Sequence, residues 1–190
     1  MTRPWVSGCG ANVRDVPTLA RFDGPSLVAA LDAMRVERGL DWNQLSDALY
    51  GQSAELNAEL CDHGVCSGAL LRTAKRGTMS CQYAAMLLRW VGQPPEDFMS
   101  GPTADVGPTT LPKVGSDKRL RFDLSALHTV LNERRQAEGL TWAQLGEELG
   151  CSPARLTNLK TARLADMGLT MQLTQWLGLP AARFLRAERW

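Results

Sequence analysis

The sequence predicts an all-α chain of two tandem five-helix units, the first carrying an insertion in its turn. Three observations lead there. The chain contains itself twice, helix caps and terminating glycines recur at matching places in both copies, and no segment has the period-two alternation of a half-buried strand. Sliding by 100 positions sets the stretch from Arg21 over the stretch from Arg121 with twelve of 29 residues identical. Chance would give about two at ordinary residue frequencies. The identities include Arg21/Arg121, Phe22/Phe122, Gly39/Gly139, Trp42/Trp142 and Gln44/Gln144. The match resumes at an offset of 86, with Leu87, Trp90, Gly92, Pro94 and Phe98 over Leu173, Trp176, Gly178, Pro180 and Phe184. The first copy is therefore longer by 14 residues, and the excess lies around Gly51 to Gly64.

The organisation follows. Residues 1–20, with Pro4, Gly8, Gly10 and Pro17, form an N-terminal arm. Residues 21–99 are the first unit, with the insertion near 51–64, and residues 121–190 are the second. Between them, residues 100–120 are rich in Pro, Gly and Thr and lack any periodicity, as a linker should.

Within the second copy, Leu127, Val130 and Leu131 form one stripe behind Asp123, a good N-cap, and Gly139 stops that first helix. Thr141-Trp-Ala-Gln144 is a capping box, and Asp41-Trp-Asn-Gln44 repeats it, so a second helix starts at the same place in both copies. It runs through Leu145 and Leu149 to Gly150. Ser152-Pro153 supplies an N-cap with proline in the first turn of a third helix, whose inner face is Leu156 and Leu159. A fourth carries Leu169, Leu173, Trp176 and Leu177 before Gly178, and Pro180 begins a short fifth. In the first copy Leu45, Leu49, Leu56 and Leu60 stay near one stripe. The insertion thus either lengthens helix two or adds a helix from about Ser53 to Cys61.

Composition sets the class. Of 190 residues, 44% are hydrophobic and 22% charged, close to the soluble globular average. No apolar run reaches the 18 or so residues a membrane helix needs, and the start MTRPWVSGCG lacks the apolar stretch of a secretory signal, so a cytoplasmic protein is expected. Five cysteines without framework spacing suggest reduced thiols. A net charge of +1 argues for no partner by itself. Its distribution argues more: acids collect on the first two helices and the insertion, leaving acid-free basic stretches from Gly64 to Trp90 and from Gly150 to Leu164.

Two short helices joined by a glycine-containing turn make a helix-turn-helix, whose second helix can enter the DNA major groove. The segment LTWAQLGEELGCSPARLTNLKTARLADMGLTMQLTQWLGL resembles the phage-repressor and Cro-like (XRE) helix-turn-helix regulators. It has the capped helix, the L-x-x-x-L spacing, the turn glycine, the Ser-capped third helix and the Trp-Leu-Gly ending. The resemblance covers most of Leu127 to Phe184, and the first copy shares its outer parts. It implies a lambda-repressor-like fold and a bacterial or phage regulator of transcription, associated with the nucleoid, that recognises specific double-stranded DNA without cofactor or catalysis. Where the family usually has alanine after the leading leucine, this chain has Gly146 and Ser46, both small.

Matching the family's motif puts Ser152 on a phosphate, Ala154, Arg155 and Asn158 at base edges and Thr157 at the margin, with Lys160 and Arg163 as nearby cations. Arginine suits guanine and asparagine suits adenine. In the first copy, taking Ser67 as the cap sets Leu70 at the place of Arg155 and Thr73 at that of Asn158, with Arg72, Lys75 and Arg76 for phosphate. This copy is expected to anchor more than it reads. The recognition helices fall near 67–76 and 152–161. The implied partners are double-stranded DNA, RNA polymerase or another regulator, and a second copy of the chain. The alternative is an interaction adaptor, whose first unit binds a protein while the second alone binds DNA.

Other chemistry is weaker. Trp42, Trp142, Trp90 and Trp176 recur at matching places and read as core packing rather than stacking platforms. Cys61, His63, Cys66 and Cys81 contain zinc-type ligands but lack a paired Cys-x-x-Cys, so buried or redox-sensitive thiols without metal are expected. A Cys-His enzyme lacks any accompanying oxyanion loop or orienting acid.

Overall fold

The computed structural model describes residues 20–61 and 67–190, and the structural statements below concern these residues. They are mostly helical. The first copy runs β1 (Arg21–Phe22), α1 (Gly24–Glu37), α2 (Trp42–Gly51), α3 (Ala54–Leu60), α4 (Ser67–Arg76), α5 (Cys81–Val91), a 3-10 turn over Pro95–Phe98 and β2 (Met99–Ser100). The second runs β3 (Arg119–Phe122), α6 (Leu124–Ala137), α7 (Trp142–Glu148), α8 (Pro153–Thr157) leading into a 3-10 turn over Asn158–Lys160, α9 (Met167–Leu177), a 3-10 turn over Ala181–Phe184 and β4 (Leu185–Glu188). Apart from α3 and the 3-10 turn over Asn158–Lys160, the two element orders coincide. No helix among the described residues is long and apolar enough to cross a membrane.

Local chemistry explains the matching starts and stops. Asp23 and Asp123 accept the backbone N–H groups of Ser26 and Ala126, capping α1 and α6. Both capping boxes close, with Asp41 and Thr141 receiving the Gln44 and Gln144 N–H groups while each glutamine oxygen takes the cap's own N–H at 2.8 Å. Gly39 and Gly139, with φ of 66° and 67°, make the left-handed turn behind α1 and α6 that a side chain would strain. Just inside that turn Arg35 lies 4.7 Å over the Trp42 ring and donates to the Leu40 carbonyl. Arg135 repeats both contacts, at 4.6 Å over Trp142 and to Leu140. The tryptophans are half-buried against the core, Trp90 under Arg38 and Trp176 donating to Glu148 at 3.2 Å.

Two expectations need correction. The chain does contain strands, since β1 pairs antiparallel with β2 and β3 with β4. Each clasps the two ends of its copy together, and stretches of two to four residues are too short for a period-two signal to show. The fifth helix of each copy is a 3-10 turn, entered through Pro94 and Pro180. The insertion resolves as a separate helix, α3, which buries Leu56 but leaves Leu60 half exposed at 50%.

The core is built twice from the same leucines: Leu27, Leu31, Leu45 and Leu49 are buried, as are Leu127, Leu131, Leu145 and Leu149. The copies then pack on one another reciprocally. Helix α5 lies on β3, and its counterpart α9 lies on β1. Ser80 and Asp166, the equivalent N-caps of α5 and α9, face each other as an antiparallel bridge. Around it Cys81 donates its N–H to the Ala165 carbonyl at 2.8 Å, and the equivalent Met167 donates to Met79 at 2.9 Å. A contact in which residue i meets j while the equivalent of j meets the equivalent of i is isologous, the signature of a two-fold axis. The repeat is thus arranged as a pseudo-dimer within one chain. Gln82 departs from the symmetry. Its side chain accepts the Phe122 N–H at 2.9 Å and donates to the Phe122 and Arg163 carbonyls at 3.0 and 2.9 Å. The equivalent residue is Gly168.

Of the expected linker, Ser100 belongs to β2 and Arg119 and Leu120 to β3, while residues 101–118 have no regular structure but are strapped down. Arg89 donates to the carbonyls of Val114, Gly115 and Lys118 at 2.9 to 3.1 Å and to that of Gln52 at 2.6 Å. Burial among these groups pushes its pKa down. The equivalent Gln175 accepts the Ala104 N–H at 2.7 Å. From the insertion, Ser53 donates to Lys118, the Leu56 N–H reaches the Ser116 carbonyl, and Glu55 accepts from the Ser116 hydroxyl. The insertion therefore supports the connection.

Candidate nucleic-acid interface

Helices α7 and α8 meet across a turn that admits no side chain at Gly146. A Cβ there would lie 2.6 Å from the Cys151 carbonyl oxygen, and the Cys151 N–H in turn donates to the Gly146 carbonyl at 2.8 Å. Gly150, at φ 62°, completes the turn. The close approach fixes α8 against α7, and Leu156 and Leu159 are buried beneath it. Everything on the opposite face is in solvent: Ser152, Ala154, Arg155, Thr157, Asn158, Lys160 and Arg163 are all exposed. Ser152 occupies the N-cap position, yet its hydroxyl makes no capping bond. The sequence expectation of an outward face here agrees with these exposures.

In the first copy Leu70 is corrected. It is buried, at 2% exposure, and α4 uses it as α8 uses Leu156. The two lie 86 positions apart, the same offset that relates Leu87 to Leu173 and Ser80 to Asp166. A cap at Ser67 places this helix one residue out of register. Ser67 is the first residue of α4, equivalent to Pro153, and the cap position falls on Cys66, outside the described residues. With the register corrected, Ala69 stands where Arg155 does and Arg72 where Asn158 does. Thr73, half-buried, donates its hydroxyl back to the Ala69 carbonyl at 2.9 Å. Arg72, Lys75 and Arg76 are exposed. Arg89, counted with them in the basic stretch, is turned to the connection instead.

Charge separates the faces. Among the described residues no carboxylate pairs with Arg72, Lys75, Arg76, Arg155, Lys160 or Arg163, although Arg163 lies 5.6 Å over the Trp190 ring. Arg186 and Arg189, by contrast, pair with Asp123 and Glu59. Behind the α8 face His128 stacks on Trp142 at 5.4 Å. Burial first, then Lys160 and Arg135, hold its pKa below the ordinary histidine value.

The described residues hold no cluster of three or more potential metal ligands. Cys61 is exposed and Cys81 fully buried, while His63 and Cys66 lie outside the described residues, as does the N-terminal arm through residue 19. Burial raises the Cys81 and Cys151 thiols above the ordinary range, away from the reactive thiolate. The Arg35 and Arg135 corners escaped the sequence reading, though their identity in both copies marked them.

Compared with known proteins, the chain matches no family model, no curated protein and no solved structure.

Proposed function

We propose that this protein is a sequence-specific double-stranded DNA-binding regulator of transcription. In this reading it has two tandem helix-turn-helix units, α2 with α4 and α7 with α8, and one chain does the work of a dimer. The observation that carries it is the exposed, acid-free face of α8 together with the two-fold relation between the copies. Helices α4 and α8 each precede, by a short segment, one of the two helices that meet at the axis, so the same axis relates them. Two readers related by a two-fold suit an inverted pair of half-sites on a duplex. The half-sites are unlike, because Arg155 and Asn158 stand opposite bases where the first copy offers Ala69 and Arg72. Strapped as it is, the connection serves as part of this assembly rather than as a tether between distant sites.

Arg155→Ala and Asn158→Ala should each cost about 1–3 kcal/mol on the preferred duplex and relax discrimination at one or two base positions. Lys75→Ala should weaken binding to all duplexes alike and reduce the salt slope by about one. Fluorescence titrations across salt concentration measure both. Equal affinity for random duplex at every salt would refute the proposal.

The adaptor reading is favoured by one observation: the first copy exposes Leu71 at 42% and Leu60 at 50%, apolar surface that phosphate does not need. In that case Arg72→Ala and Lys75→Ala leave DNA affinity intact and abolish regulation in cells.

A further inference from the structure

The two-fold relation between the copies leaves a solvent-facing place that belongs to neither copy alone. Ser80 and Asp166 meet there in extended conformation as an antiparallel bridge. The residues before them, Thr78-Met79 and Leu164-Ala165, line an open depression over the axis. Side chains alternate along extended backbone. Met79 is accordingly buried at 8% and Ala165 half-buried, while Thr78 and Leu164 stand outside. At 63%, Leu164 is the most exposed large apolar side chain among the described residues. An exposed leucine by itself carries no meaning, but its place does. Lys160 and Arg163 precede it in the second copy, Lys75 and Arg76 precede Thr78 in the first, and all four cations are exposed. Asp166, the carboxylate at the depression, is turned onto the Leu169 N–H at 3.0 Å as the cap of α9. Apolar bulk thus stands at the axis between cations that lead back to α4 and α8.

Two readers in successive major grooves on one face of a duplex lie about one helical turn apart. The groove that passes between them, half a turn from each, is the minor groove. Residues over the axis between α4 and α8 therefore face the minor groove midway between the half-sites. We propose that Leu164 is a wedge that enters there and partly unstacks one base step. This rests on the regulator reading and adds a specificity residue to it. Apolar side chains that enter the minor groove part base steps at a cost that is least at flexible pyrimidine–purine steps such as TA. The cost becomes a sequence preference without any hydrogen bond to a base. Thr78 takes the equivalent place in the first copy, where its short side chain offers no such bulk. The wedge is therefore single, and the opened step lies toward the half-site read by α8.

The test uses a duplex enriched by the full chain from a randomised library, rebuilt with either TA or AT at each step midway between its half-sites. These two steps present the same acceptors in the minor groove and differ in how easily they open. TA should bind about tenfold tighter than AT at one of them, within the range usual for one base pair. With 2-aminopurine in place of the adenine of that step, emission should rise on binding, and it should stay unchanged when the analogue sits in the flank. Leu164→Ala should lose both the rise and the TA preference while keeping the half-site preference, and Leu164→Met should restore both. Since Leu164 is exposed, neither exchange touches the core. The inference is overturned if TA and AT bind alike at every midway step, if the 2-aminopurine stays quenched, or if Leu164→Ala retains either signal. Enrichment of no common sequence refutes the regulator reading and the wedge with it, whereas enriched half-sites around an indifferent, stacked centre refute the wedge alone.

Discussion

Gly146 decides how close two helices come. A Cβ added there would lie 2.6 Å from a backbone oxygen, and relief requires movement of the Cys151 turn itself. Gly146→Ala should therefore destabilise the protein by about 1–3 kcal/mol, as overpacking does, despite the helix propensity that alanine adds. A fall in the urea midpoint at unchanged slope measures it, and a rise would show that the turn yields. The first copy has Ser46 at this place, buried at 4%, because its longer α2 and the insertion remove the tight turn. The need for a small residue was legible in the sequence. The place of Leu70 was legible too, since the offset of 86 sets it on Leu156; taking Ser67 for the cap departs from that offset by one residue, and the burial of Leu70 decides between the two.

The elements were legible wherever a cap or glycine marked their ends, and illegible where long-range pairing made them. Both capping boxes, the Gly39 and Gly139 stops and the α9 terminus at Gly178 follow from local chemistry. The β1–β2 and β3–β4 clasps do not, since their partners lie more than 60 residues away along the chain. The connection is a similar case: its composition speaks for a free tether, while Arg89, one basic residue among several in sequence, holds it through three of its carbonyls. Arg89→Met should release the stretch around 114–118, and hydrogen exchange should rise there first while α6 and α9 stay protected. Unchanged exchange would show that Ser53 and Glu55 suffice. His128 gives an element-level pH dependence. Its folded pKa lies below the ordinary value of 6.5, so above that pH both states are neutral and stability is complete. As pH falls through 6.5 the unfolded chain takes up the proton first, and stability declines until the folded pKa is passed. His128→Val, which copies the buried Val28 of the first unit, should remove this histidine's share of the slope in midpoints measured between pH 7.5 and 5, roughly the range in which histidine titrates.

At the scale of the whole molecule, duplication was legible from identity alone, but the relation between the copies was not. Residues that recur in both copies, such as the leucines and tryptophans, serve the interior of each unit. The contacts that join the units are carried largely by backbone groups around Ser80 and Asp166, whose side chains differ, and by Gln82, which has no counterpart. A fused pseudo-dimer is free to let its two halves diverge, and the halves have done so at the outer faces: Arg72 opposes Asn158, Ala69 opposes Arg155, and the first copy alone carries α3. In the proposed function one chain reads an inverted pair of unlike half-sites through these faces. Selection from a library of randomised duplexes, repeated with Arg155→Ala, tests it most directly. Enrichment of two unlike half-sites in inverted orientation is expected, with the Arg155→Ala variant losing preference in one half-site only. Recovery of no common sequence, or of half-sites repeated head to tail, would contradict it.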